Sequence, residues 1–196
     1  MLILRKYQKK RNFKSTSEPQ NQKKEERKDK KIFVIQKHKA SSLHYDFRIE
    51  IDDVLVSWAV PKGPSMNPEE KNLAIRTEDH PLEYADFEGI IPEDQYGGGT
   101  VIVWDKGKYE NQADIKMSEA LRKGKIEIWL KGKKIQGGYY MIRTKNTKKN
   151  KEQWLLIKAR DNKTDARRNP TATQPESVIS NMTIEQMEEF HGKNNK

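Results

Sequence analysis

Residues 44–60, HYDFRIEIDDVLVSWAV, alternate polar and large apolar side chains over their first eight positions. His44, Asp46, Arg48 and Glu50 fall on one parity, and Tyr45, Phe47, Ile49 and Ile51 on the other. Successive side chains of a β-strand point to opposite faces, so this period of two predicts a strand with one polar and one apolar face. A second apolar run, 54–60, follows Asp52 and Asp53. An acidic pair between two such runs reads as a tight hairpin turn.

Working outward, similar short runs predict strands at 32–37, 73–78, 100–104, 126–130, 139–144 and 153–159. Pro61, Gly63, Pro64 and Pro68 mark a loop, as do GIIPEDQYGGG (89–99) and GKKIQGG (132–138). Only MSEALRKG (117–124) reads as a clear helix, with Ser118 as N-cap and Gly124 as its stop; a second small helix is expected near 184–190. Many short strands and almost no helix predict an all-β, antiparallel β-barrel with one or two short helices. Trp58, Trp104, Trp129 and Trp154 each fall in a predicted strand, which places them in the core rather than on a base-stacking surface. The glycines of YGGGTVIVW precede a strand and lack the Lys-Ser/Thr ending of a phosphate-binding loop, so they are expected to serve a turn or bulge.

The 196 residues are only 33% hydrophobic and 35% charged, which points to one folded domain with polar appendages. The expected division is a basic, flexible N-terminal arm (1–31), a β-barrel domain (32–162) and a polar C-terminal tail (163–196). The absence of cysteine excludes disulfides, thiolate metal sites and cysteine nucleophiles. No apolar run approaches the length of a membrane span or signal peptide, so a soluble, cytoplasmic protein is expected. Net charge is +10, of which residues 1–31 carry +8 from 12 basic and 4 acidic residues. A basic arm suits a polyanionic partner such as nucleic acid.

Parity also aligns the histidines. Gln36 and His38 share a strand face opposite Phe33 and Ile35, as do Ala74, Arg76, Glu78 and His80 opposite Leu73, Ile75 and Thr77. If these faces line one cleft with that of 44–51, His38, His44 and Asp46 form a nitrogen and oxygen site for manganese, iron or zinc. Arg48, one pleat beyond Asp46, would set a fork of donors beside the metal, as phosphate recognition needs. His191, in the polar tail, is outside this pattern.

The segments FVIQKHKASSLHYDFRIEIDDVLVSWAVPKGPS, LAIRTEDHPLEYADFEGIIPEDQYGGGTVIVWDKG and WLLIKARD closely resemble the 3′-phosphoesterase module of bacterial DNA ligase D and its stand-alone relatives. The resemblance runs from about Tyr7 to Asp161 and rests on Q-x-H-x5-H-x-D-x-R followed by E-D-H-P. It implies a manganese-dependent enzyme that removes a 3′-terminal ribonucleoside and then the 3′-phosphate, leaving a hydroxyl during end joining. It implies His38, His44 and Asp46 as metal ligands and Arg48 and His80 as the catalytic, phosphate-holding pair. Gln36, Lys62, Glu78 and Tyr84 fall at supporting positions, and Arg11 and Glu18 at positions tied to the diester step. Asn12 stands where the family has an aspartate, and Asn72 where relatives often have a basic residue. Implied partners are DNA or DNA/RNA 3′ ends, above all a primer-template duplex, with a separate ligase and polymerase. Two other readings remain: a non-catalytic basic β-barrel that binds nucleic-acid ends, and a β-barrel metalloenzyme acting on a small molecule.

Overall fold

The computed structural model describes residues 4–20, 31–148 and 151–194. Nine strands form one antiparallel sheet: β1 (Ile32–Lys39), β2 (Leu43–Ile51), β3 (Val54–Val60), β4 (Lys71–Arg76), β5 (Gly89–Ile91), β6 (Gly99–Asn111), β7 (Lys125–Gly132), β8 (Gln136–Lys148) and β9 (Lys151–Lys158). Pairing runs β1-β2-β3-β4-β9-β8-β7-β6, and β6 returns to β1, which closes an eight-stranded barrel. β5 pairs with the first residues of β6. Closure leaves the barrel without a free edge. The β2–β3 turn forms at Asp52 and Asp53, both with positive φ (51° and 63°), as a two-residue hairpin of mirror-image twist requires.

The apolar parity of 44–51 fills the barrel. Tyr45, Phe47, Ile49 and Ile51 join Phe33, Ile35, Trp58, Trp104 and Trp154 in one buried cluster. The polar parity therefore lies on the outside of the barrel wall, and there it is covered. Tyr7, Val34, Leu55, Tyr84, Phe87, Val101 and Val103 form a second cluster over β1, β3 and β6, beneath the N-terminal segment and a 3-10 turn, Leu82–Asp86. β1 and β6 are thus buried on both faces, which explains the continuous apolar runs IFVI and VIVW.

Several expectations are corrected. The strand expected at 73–78 spans Lys71–Arg76, and its neighbours reverse the anticipated faces: Ala74 enters the core and Leu73 is exposed. Small Ala74 stands opposite Trp154, whose indole needs the space. Arg76 lies over the Trp58 ring rather than beside the histidines. His80 leaves the β4 line altogether and makes an isolated two-bond bridge with Leu55 (3.0 and 2.9 Å). Helix α2 is Met117–Lys123, after α1 (Arg5–Lys9); its N-cap is Lys116, not Ser118, and no side chain caps it. Gly124 ends it in the left-handed region (φ 80°), as expected. Trp58, Trp104 and Trp154 are core residues, but Trp129 is only half-buried.

The N-terminal segment has few apolar residues, yet Leu4 and Tyr7 are buried in the two clusters. Residues 21–30, the most charged part of the expected flexible arm, lie outside the described residues. After β9 the chain also stays on the barrel. α3 (Pro170–Thr173) leads to Gln174, whose carbonyl accepts from Trp104 Nε1 (2.6 Å), and α4 (Ile184–Asn194) packs Ile184 and Met187 on Ile102. Among the described residues no helix is long and apolar enough to cross a membrane.

Candidate metal centre and phosphate-binding site

Strand register brings the expected ligands together. On the β1–β2 ladder His38 is opposite His44, Gln36 opposite Asp46 and Val34 opposite Arg48; on the β2–β3 ladder Arg48 is opposite Ser57. Directly opposed residues of an antiparallel pair project to the same face. Ligand atoms of His38, His44 and Asp46 accordingly lie within 4.8 Å of one another.

The backbone orients both imidazoles. His38 Nε2 lies 2.9 Å from the Gly97 carbonyl, and His44 Nδ1 lies 3.0 Å from the Ser42 carbonyl. A carbonyl only accepts, so each of these nitrogens carries the proton and the other keeps its lone pair. Those remaining atoms, His38 Nδ1 and His44 Nε2, face Asp46 Oδ2 at 3.4 and 3.8 Å. Two donors about 2.1 Å from one cation stand roughly 3–3.5 Å apart; the His38–Asp46 pair has that spacing, and His44 needs to close in for the three to hold a divalent transition metal. A histidine tied to a carbonyl through its second nitrogen is the usual arrangement at such centres. Burial raises the pKa of the Asp46 carboxyl, but the charge of the adjacent Arg48 guanidinium opposes it and the group stays below the usual carboxylate range. The carboxylate is therefore ionised without a metal.

Arg48 is the hub beside this centre. It donates from Nε to Gln36 Oε1 (2.8 Å) and from Nη1 to Ser57 Oγ (2.9 Å), and its Nη2 lies 3.1 Å from Asp46 Oδ2. Gln36 is itself fixed, donating from Nε2 to the carbonyls of Tyr84 and Phe87, both at 3.0 Å. The guanidinium plane is thus set before any ligand arrives.

His80 sits between two arginines. Its Nδ1 is 2.8 Å from Arg48 Nη1, and its Nε2 is 3.3 Å from Arg11 Nη2. A neutral imidazole has one acceptor nitrogen and a cationic one has none. Burial, then the Arg48 and Arg11 charges, push its pKa well below the ordinary histidine value.

Arg11 reaches this point from the N-terminal segment. It donates from Nε to Glu18 Oε1 (2.7 Å) and from Nη1 to Glu78 Oε1 (3.3 Å), and it stacks 3.8 Å from the Tyr7 ring centroid. Tyr84 donates its hydroxyl to Glu18 Oε1 (3.1 Å), and its ring lies 4.7 Å from that of His80. Gln36, Glu78, Tyr84, Arg11 and Glu18 therefore all join the cluster. Lys62 does not: it is exposed beyond β3 and lines a separate groove with Asn72 and Arg168. Asn72 is buried and donates to the Gly63 carbonyl (2.8 Å), holding a loop. Asn12 is exposed and accepts from the Lys14 amide (3.2 Å), closing a local turn.

Sequence reasoning missed Ser57, Tyr7, and the carbonyls of Ser42 and Gly97. Ser57 had a signal, since it shares strand parity with Leu55 and Ala59, opposite Trp58. The carbonyls had none, because every residue carries one.

The chain is similar to known proteins over nearly all of its length. The DNA Ligase D 3′-phosphoesterase domain matches residues 36–143. The multifunctional non-homologous end joining protein LigD of Pseudomonas aeruginosa is 46% identical over 186 residues, covering 92% of this chain and 22% of that protein. The multifunctional non-homologous end joining DNA repair protein LigD of Mycobacterium tuberculosis is 44% identical over 160 residues, covering 82% of this chain and 20% of that protein. The chain thus spans about a fifth of the length of these curated relatives. With a barrel wall carrying converging imidazoles and a carboxylate beside a fixed arginine, and with these similarities, the chain belongs to the DNA ligase D 3′-phosphoesterase domain family.

Proposed function

We propose that the protein is a manganese-dependent phosphoesterase that heals 3′ ends of DNA. It removes a 3′-terminal ribonucleoside and then the remaining 3′-phosphate, leaving a hydroxyl for ligation. The observation that carries this reading is the pair of imidazoles whose protonated nitrogens are tied to Gly97 and Ser42, so that their lone pairs converge with Asp46. His38, His44 and Asp46 would hold the cation. When bound, the metal supplies positive charge against the phosphate and a water of lowered pKa. Arg48, locked by Gln36 and Ser57, presents its fork to the non-bridging oxygens without reorganising. His80, neutral beside Arg48 and Arg11, would join Arg48 at the phosphate rather than act as a cationic acid. Arg11 and Glu18 extend the site toward the N-terminal segment, where the diester's extra nucleoside needs contacts that a bare phosphate does not.

The substrate is a duplex 3′ end, and the partners are a ligase and a polymerase acting on the same break. A primer-template with one 3′-terminal ribonucleotide, incubated with and without manganese, tests the reading. Two successive products are expected, a 3′-phosphate and then a 3′-hydroxyl, both requiring the metal. Tight binding with no hydrolysis would make the protein a non-catalytic end binder. Hydrolysis of small phosphoesters alone would make it a small-molecule metalloenzyme.

A further inference from the structure

Tyr96 differs from the other tyrosines around the metal centre. Tyr7 and Tyr84 are sealed in the apolar cluster there, whereas Tyr96 keeps 44% of its surface exposed and belongs to none of the three apolar clusters. Its ring is thus largely open to solvent, yet the residue is held from two sides. The next residue, Gly97, accepts from the ligand His38 at 2.9 Å. The Tyr96 hydroxyl reaches Glu78 Oε2 at 3.5 Å, and Glu78 also bonds Lys10 and Arg11. Lys10 Nζ lies 4.0 Å from the Tyr96 ring centroid.

We propose that Tyr96 is the stacking platform for the 3′-terminal nucleobase, and that the end nucleotide sits unpaired on this ring next to the metal centre. The inference rests on the phosphoesterase reading. An exposed aromatic face with lysine and arginine beside it is the combination that binds single-stranded nucleic acid, with the ring under the base and the cations along the backbone. Stacking is tolerant of sequence because every base has a π-face, which suits an enzyme meeting ends of any sequence.

The test uses the full chain, its fold checked by circular dichroism, and an oligonucleotide with 2-aminopurine at its 3′-terminal ribonucleotide. Wild-type protein and Tyr96→Phe are expected to quench the 2-aminopurine; Tyr96→Leu is not. In hydrolysis with manganese, Tyr96→Leu should lose on the order of tenfold in kcat/KM on the base-bearing end, the size of one base–aromatic stack. It should lose nothing on an otherwise identical abasic end. Equal loss on both ends would overturn the proposal, since the residue would then act only through Gly97 and His38. Unchanged quenching by Tyr96→Leu would overturn it as well. Quenching by the wild type without hydrolysis of any substrate would support the stacking and remove the phosphoesterase reading instead.

Discussion

His44 and its neighbours on β2 divide their tasks by parity, since His44 offers a lone pair outward while Tyr45 and Phe47 pack inward. His44→Ala should therefore abolish both hydrolytic steps and weaken metal binding at least a hundredfold, with little change in thermal melting of the metal-free protein. Metal titration calorimetry and melting curves check this; full metal affinity would remove His44 from the ligand set. Arg48→Lys keeps the charge but replaces a planar fork with a point charge that cannot meet Gln36, Ser57 and Asp46 together. A loss of about 2–4 kcal/mol in kcat/KM is expected, the scale of one deleted transition-state donor. His80 adds a pH dependence. Its folded pKa lies below the unfolded value of 6.5, so the unfolded chain binds more protons between the two values. The stability that neutral His80 contributes is complete above pH 6.5 and falls as the pH drops through the window below it. Urea midpoints of the metal-free protein should decline from pH 7.5 to 5.5, and the decline should flatten in His80→Gln.

At the level of elements, the site depends on how closely β6 approaches the end of β1. Gly99 has φ 138°, and a Cβ there would come 2.2 Å from the Lys39 carbonyl oxygen. The sequence YGGG is thus a close-approach device that lets β6 run past Lys39 while the preceding Gly97 carbonyl reaches His38. Gly99→Ala must move backbone, because the obstructing atom belongs to the main chain. Destabilisation of at least 1–3 kcal/mol is expected from the disfavoured dihedral alone. Metal affinity should fall with it, as His38 shifts with the strand end. Chemical denaturation and metal titration of the variant measure the two effects, and a wild-type metal affinity would show that β1 holds His38 without help from β6.

Across the whole molecule, net charge is unevenly placed along the sequence. Residues 1–31 carry +8 of the net +10, whereas the buried site balances Arg11 and Arg48 with Glu18, Glu78 and Asp46. The excess positive charge is thus carried by parts of the chain other than the chemical groups. Replacing Lys23, Lys24, Arg27, Lys28 and Lys30 with glutamine should flatten the salt dependence of duplex binding, because each lost phosphate contact lowers the slope by about one unit. Turnover at saturating substrate should stay as it was. Binding isotherms across a salt series test this, and an unchanged slope would place the phosphate contacts on the barrel.

Local sequence determined the strands β1 to β3, the mirror-image turn at Asp52 and Asp53, and the common face of His44, Asp46 and Arg48. A strand's period of two is fixed by its own backbone, so parity can be read without a partner. The pairing of His38 with His44 was within reach, since one hairpin joins their strands. Tertiary structure alone decided that this polar face lies outside the barrel under a cover, and that Arg11 meets His80 across 69 residues. It also decided that Ala74 points in where Leu73 does not, and which nitrogen of each imidazole is free. These outcomes follow from barrel closure, ladder register and the carbonyl each ring happens to meet. Such contacts between distant segments leave no period in the sequence from which they could be read.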